Sequence, residues 1–195
     1  MMNKWKNISV RKIIANNKLS TRALVLAAIF AAMNIILTRA GVIMLFGGLV
    51  RLSFGKIPLI LSGLFLGPLA GAFAGLVGDV LGVIINSHGA PMIHPGFTLS
   101  SVLTGAVPGI IVVLSRKNRS SLFNVITSNI VVLILVNLLL DTLWLSQMYG
   151  NPYAVVFKTR LIPHIIIAAI NIVVTYPLIK SLIKTGLASD TVRIA

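Results

Sequence analysis

Apolar residues run along this chain in long uninterrupted stretches, with polar residues gathered between them. Six such stretches can be drawn. The first covers about Ala23–Leu37; no A-x-A-type cleavage site follows it, so a retained helix is expected. The next, Ile57–Ile85, has 29 residues and one charge. As one helix it would measure roughly 43 Å, too long for a bilayer core of about 30 Å without strong tilt. Gly67-Pro68 lies inside it, and an interior proline removes a hydrogen bond and clashes with the preceding turn. The stretch is therefore divided into a short helix, Ile57–Leu66, and a second, Pro68–Ile85. The remaining three are Phe97–Leu114, Leu122–Leu145 and Leu161–Ile183. Five spans remain if Gly67-Pro68 only kinks the helix. The fold class expected is an all-α integral membrane protein, a compact bundle of six transmembrane helices with both termini cytoplasmic.

Composition agrees. Of 195 residues, 57% are hydrophobic and 10% charged, too few charges for a soluble surface. The net charge of +14 invites a nucleic-acid reading, which the placement of the charges removes. Lys4, Lys6, Arg11, Lys12, Lys18 and Arg22 precede the first span. Arg116, Lys117 and Arg119 join the fourth and fifth, and Lys180, Lys184 and Arg193 follow the sixth. With six spans all twelve fall on one side, which the positive-inside rule makes cytoplasmic. They also attract anionic headgroups of the lipid bilayer. No nucleic acid is expected as a partner. With no cysteine, thiolate metal sites and a cysteine nucleophile are excluded.

The other five cations, Arg39, Arg51, Lys56, Lys158 and Arg160, fall on the opposite side, against the rule. His88, His94, His164, Asp141, Trp144 and Tyr149 join them there, and Asp79 falls in the outer half of the third span. An ionisable residue at membrane depth is costly and marks a site or a pair. Lys56 and Lys158 either snorkel to headgroups or pair. Glycines at 63, 67, 71 and 75, resuming at 78 and 82, give a flat side for close helix packing within the monomer. Ala23, Ala27 and Ala31, with Ala28 and Ala32 beside them, form a similar stripe that packs either internally or on a partner.

Between the third and fourth spans, two prolines and two glycines shape a loop from Asn86 to Ser100 that runs into a helix which Thr98 or Ser100 can cap. Arg51–Pro58 alternates apolar and polar residues as a short extended segment would. No HExxH-like spacing, no nearby pair of carboxylates and no GxxxxGK[ST] is present, so neither catalysis nor nucleotide hydrolysis is expected, and no cofactor or metal. A polar, aromatic pocket open to the outside suits capture of a small solute.

Arg51-Leu-Ser-Phe-Gly-Lys-Ile-Pro58, Gly78-Asp79-Val-Leu-Gly82 and His94-Pro-Gly-Phe-Thr-Leu-Ser100 together resemble the substrate-binding S component of an energy-coupling-factor (ECF) vitamin transporter, most of all its folate-specific members. Leu37-Thr38-Arg39 and Thr159-Arg160 are also similar, and Ala27/Ala31 or Ala28/Ala32 resemble the family's docking surface. The resemblance implies a non-enzymatic, multi-pass cell-membrane protein that captures folate or a reduced folate at the extracellular side. It implies delivery inward when docked on a membrane-embedded coupling subunit with two cytosolic ATPase subunits. The chain would divide into a basic cytoplasmic segment 1–22, a substrate-binding domain 23–185 and a tail 186–195. The rivals are an S component for another vitamin and a self-sufficient channel or secondary transporter.

For a folate, the amino group and ring N–H of the pterin suit a carboxylate, with Asp79 the first candidate and Asp141 the second. Phe97 and Trp144 offer flat partners for the rings, although Trp144 also fits an interfacial belt. Arg39 and Arg160 would hold the glutamyl carboxylates with Arg51 in reserve, and His94 and Thr98 would supply directional hydrogen bonds or shape the loop.

Overall fold

The computed structural model describes residues 20–39, 42–45, 50–85, 94–115 and 121–184. Helix α1 (Thr21–Arg39) leads into an antiparallel hairpin of β1 (Val42–Leu45) and β2 (Val50–Ser53), with Val42 opposite Ser53 and Leu45 opposite Val50. Then follow α2 (Lys56–Leu66), α3 (Pro68–Ile85) and α4 (Pro95–Ser115). A long helical rod comes next, made of α5 (Leu122–Val131), a π-helical stretch (Val132–Leu140) and α6 (Asp141–Tyr149); α7 (Tyr153–Lys184) ends the described chain. Among the described residues five helical segments are long and apolar enough to cross a membrane, and α2 is a shorter apolar helix. Large apolar side chains such as Ile36, Ile85, Leu114 and Val173 are exposed around the outside, as a bilayer-facing surface requires.

Gly67-Pro68 is a reversal and not a kink. Gly67 adopts φ 102°, a conformation open to glycine, and its N–H closes α2 on the Gly63 carbonyl at 3.0 Å. A Cβ at Gly71 would lie 2.9 Å from Gly63 Cα, so residues eight apart in sequence are neighbours across the turn. Pro68 opens α3, where its missing N–H leaves nothing unsatisfied. Every residue of α2 after Lys56 is buried, from Ile57 to Leu66. A helix apolar all round belongs in the centre of a bundle, and Leu59, Ile60, Leu64 and Phe65 form the middle of the core.

The glycine series packs the monomer. A Cβ on Gly71 would strike the Gly105 carbonyl of α4, and one on Gly105 would strike the Gly71 carbonyl. Gly63 also abuts Gly105, Gly75 abuts Ser101, and Gly109 abuts Pro68. Backbone thus lies on backbone along α2, α3 and α4. The alanine stripe of α1 is divided: Ala23, Ala27 and Ala31 are buried in the core, whereas Ala28 and Ala32 are exposed. Ala27 and Ala31, two of the four positions expected to present a docking surface, are thus covered by the bundle, and Ala28 and Ala32 are the two left open.

Two boundaries differ from those drawn on hydropathy. Helix α7 begins at Tyr153 and not at Leu161, because Lys158 and Arg160 are helical residues whose charge hides the helix from a hydropathy window. Extended structure ends at Ser53, and Lys56–Pro58 already belong to α2.

Gly105→Val is expected to lower the midpoint of thermal unfolding in detergent by about 5–10 °C through overpacking against α3. Ala28→Val on the open face of α1 should move the same midpoint by less than about 2 °C.

Candidate functional site

Polar side chains converge at the end of the bundle that carries the hairpin. Lys56, at the first position of α2, donates from Nζ to Asp141 Oδ2 at 2.9 Å and to Asn137 Oδ1. Arg160 Nη2 lies 3.8 Å from the same Asp141 oxygen and 2.9 Å from His164 Nε2. The side chains of Asp141 and Arg160 are 10% and 17% exposed, so these charges sit largely out of solvent. Two cations face one carboxylate, a local excess of positive charge.

The π-helical stretch explains how Asp141 comes to face inward. Val132 and Asp141 are nine residues apart and both buried. Nine residues make 2.5 turns of α-helix, which would put Asp141 on the side opposite Val132. At about 4.4 residues per turn they make close to two whole turns, and the two residues share the inner face. The Asp141 N–H bonds the Val136 carbonyl, five residues back, as that wider winding requires.

Lys56 is placed from the other side by α1. Asn34 donates from Nδ2 to the Gly55 carbonyl at 2.7 Å, and Thr38 donates to the Asn34 carbonyl at 2.6 Å. Gly55 meets the Thr38 side chain so closely that a Cβ would not fit. The turn before α2 is thereby locked to the end of α1.

An aromatic wall adjoins the charged group. The His94 ring stands 5.7 Å from both Phe97 and Trp144, with interplanar angles of 63° and 47°. Gly96 lies directly under the Trp144 indole, where a Cβ would meet the ring. His94 Nδ1 accepts the Gly96 N–H at 3.2 Å and so holds the loop residue against α4.

Four buried polar atoms at this end have no hydrogen-bond partner among the described residues: Ser100 Oγ, Asp141 Oδ1, Trp144 Nε1 and Arg160 Nη1. The Ser100 hydroxyl faces the Asp141 carboxylate without closing a hydrogen bond of ordinary geometry. Buried polar groups are nearly always paired, so such a cluster points to something that completes it. Among the described residues no group of three or more histidine and acidic side chains could hold a metal.

Of the residues singled out in the sequence, His94, Phe97, Trp144 and Arg160 are brought together here. Asp79 and Thr98 form a separate pair: Thr98 donates to Asp79 Oδ2 at 2.7 Å and Ser101 donates to Oδ1 at 3.2 Å, fastening α3 to the first turns of α4. Arg39 ends α1 and Arg51 lies on β2; their side chains, and His88, lie outside the described residues. Lys158 and Tyr149 are exposed. Lys56, Ser100, Asn137 and His164 were not among the residues assigned to the site. Asn137 and Asp141 had a signal, as polar residues four apart in an otherwise apolar run.

A family model described as "ECF-type riboflavin transporter, S component" matches residues 18–184. The chain is an S component of the ECF transporter family. It is 35% identical to the folate transporter FolT of Clostridium novyi (strain NT) over 128 residues, 66% of this chain and 72% of that protein. To the folate transporter FolT of Leuconostoc mesenteroides subsp. mesenteroides it is 27% identical over 169 residues, 84% of this chain and 88% of that one. A crystal structure of FolT bound with folic acid matches with TM-score 0.69 and 28% identity, over 83% of this chain and 95% of that one. The S component of a bacterial ECF transporter shares the fold at TM-score 0.56 and 22% identity, over 83% and 97% of the two chains. This S component is thus a multi-pass cell-membrane protein and a transporter subunit, not an enzyme.

Lys56→Met is expected to destabilise this S component by about 2 kcal/mol, below the range for fully buried pairs because Lys56 reaches solvent. The double variant Lys56→Met/Asp141→Leu should recover most of that loss, since no unpaired charge remains. Denaturation midpoints of the two single variants and the double variant measure the coupling.

Proposed function

We propose that this S component captures folate or a reduced folate at the hairpin end, which faces the outside. It delivers the vitamin inward when docked on a membrane-embedded coupling subunit carrying two cytosolic ATPases. The observation that carries the reading is the set of four unpartnered polar atoms beside the aromatic wall. Asp141 Oδ1 accepts, Arg160 Nη1 and Trp144 Nε1 donate, and Ser100 Oγ does either. A carboxylate ligand only accepts and would set like charges face to face at Asp141. A pterin edge offers an amino group and a ring N–H to the acid and a carbonyl oxygen to the donors.

This reading revises two expectations. Asp141 takes the pterin in place of Asp79, whose oxygens already receive Thr98 and Ser101. Arg160 serves the same end of the ligand as Asp141 because the two are 3.8 Å apart. The glutamyl carboxylates are then left to Arg39 and Arg51, at the end of α1 and on β2. Phe97, Trp144 and His94 supply the ring contacts, and Thr98 shapes the loop through Asp79. Residues 23–185 form the substrate-binding domain, and the basic segment 1–22 and tail 186–195 lie on the cytoplasmic side. The exposed positions Ala28 and Ala32 meet the coupling subunit.

The wording of the family model favours riboflavin as a second reading. Its ring edge also carries an N–H between two carbonyls, but it has no carboxylates to engage the cationic end. Titrating detergent-purified protein with each vitamin, followed by tryptophan fluorescence, separates the two. Folate is expected to bind at least about 100-fold more tightly, a difference of roughly 3 kcal/mol. Riboflavin binding the more tightly would sink the folate assignment. Asp141→Asn should weaken folate about tenfold and Asp79→Asn less than about threefold. The reverse order would return the pterin to Asp79.

A further inference from the structure

His164 sits one helical turn beyond Arg160 on α7 and makes two contacts with it. Arg160 Nη2 lies 2.9 Å from His164 Nε2, and His164 Nδ1 lies 2.9 Å from the Arg160 carbonyl oxygen. A guanidinium only donates and a carbonyl only accepts. The ring nitrogen facing the guanidinium must therefore carry a lone pair, and the one facing the carbonyl must carry the proton. The arrangement exists only with His164 neutral and in its Nδ1–H form. The charged groups that surround it are Arg160 on its own helix, Lys56 on α2 and Asp141 on α6, and among the described residues Nη2 has no other acceptor within hydrogen-bond distance.

Arg160 is left with one anchored terminal nitrogen, Nη2, and one buried terminal nitrogen, Nη1, that has no partner among the described residues. Asp141, at 3.8 Å, is too far for a hydrogen bond to the guanidinium. A free arginine beside a carboxylate closes into a two-pronged pair that uses both oxygens and both nitrogens. In this protein it has not closed. The tether to His164 holds the guanidinium back, so that Nη1 and Asp141 Oδ1 both stay available.

We propose that His164 is a positioning residue, a neutral acceptor that keeps Arg160 from collapsing onto Asp141 and so preserves a separate donor and acceptor for the ligand. The identity of that ligand rests on the folate reading above; the arrangement of His164 does not.

Two measurements test this on the full-length protein in detergent. In ¹⁵N NMR of histidine-labelled protein, the His164 signals, assigned by their loss in His164→Gln, should show a protonated Nδ1 and an unprotonated Nε2. A protonated Nε2, or a doubly protonated ring, at neutral pH would overturn the proposal. In folate titrations, His164→Leu should bind about tenfold more weakly, while His164→Gln, whose side-chain oxygen can still accept from Arg160, should stay within about threefold of the unaltered protein. Unchanged affinity in His164→Leu, or a His164→Gln variant as weak as His164→Leu, would overturn it. If the unaltered protein binds riboflavin and not folate, the folate reading fails, and the same pair of variants titrated with riboflavin then decides the role of His164.

Discussion

A charge held among membrane-spanning helices must find its counter-charge within the protein, and in this S component that demand falls on Lys56. Its ammonium, wedged between Asn137 and Asp141, ties the start of the central helix to the rod formed by α5, the π-helical stretch and α6. The rest of the hairpin end is arranged around that contact. The turn at Gly55 delivers Lys56, α1 holds the turn through Asn34, and the wide winding of Val132–Leu140 brings Asp141 round to meet it. Removing two ions from water is expensive, and their attraction only roughly repays it. What the pairing secures is position: one oxygen of Asp141 is occupied and the other remains open, beside an arginine that is itself only half engaged.

The bundle separates rigidity from chemistry. On one side, α2, α3 and α4 meet through glycine backbones, an arrangement with almost no freedom to repack. On the other, α4 turns Ser100 and the aromatic wall toward α6 and α7. Helix α4 serves both roles, so the Asp79 carboxylate, bonded to Thr98 and Ser101 in its first turns, couples the packed side to the polar one.

Much of this was legible in the sequence. Six apolar segments, the break at Gly67-Pro68, the glycine packing and the gathering of polar residues at one end all follow from hydropathy, helix-breaking residues and charge placement. The inner partnership of the site was not. Periodicity assumes 3.6 residues per turn, and on that assumption Asp141 points away from the face that Val132 shares with the core. The π-helical stretch, which no hydropathy pattern announces, moves it inward. Asp79 ranked above Asp141 on a different ground, its depth within a span, which is visible in a sequence while the hydroxyls of Thr98 and Ser101 that occupy it are not. Arg160 lay just outside the drawn helix and His164 just inside it, so their one-turn spacing on α7 went unread.

The reversal at Gly67-Pro68 also bears on parity. Because residues 63 and 71 are neighbours, α2 and α3 leave the membrane by the face through which they entered, whatever depth the short α2 reaches. The pair adds an even number of crossings or none, and α1, α4, the α5–α6 rod and α7 add four more. On the reading that both helices enter the membrane, Thr21 and Lys184 would open on the same aqueous compartment, and lengthening or shortening α2 during evolution would leave that unchanged.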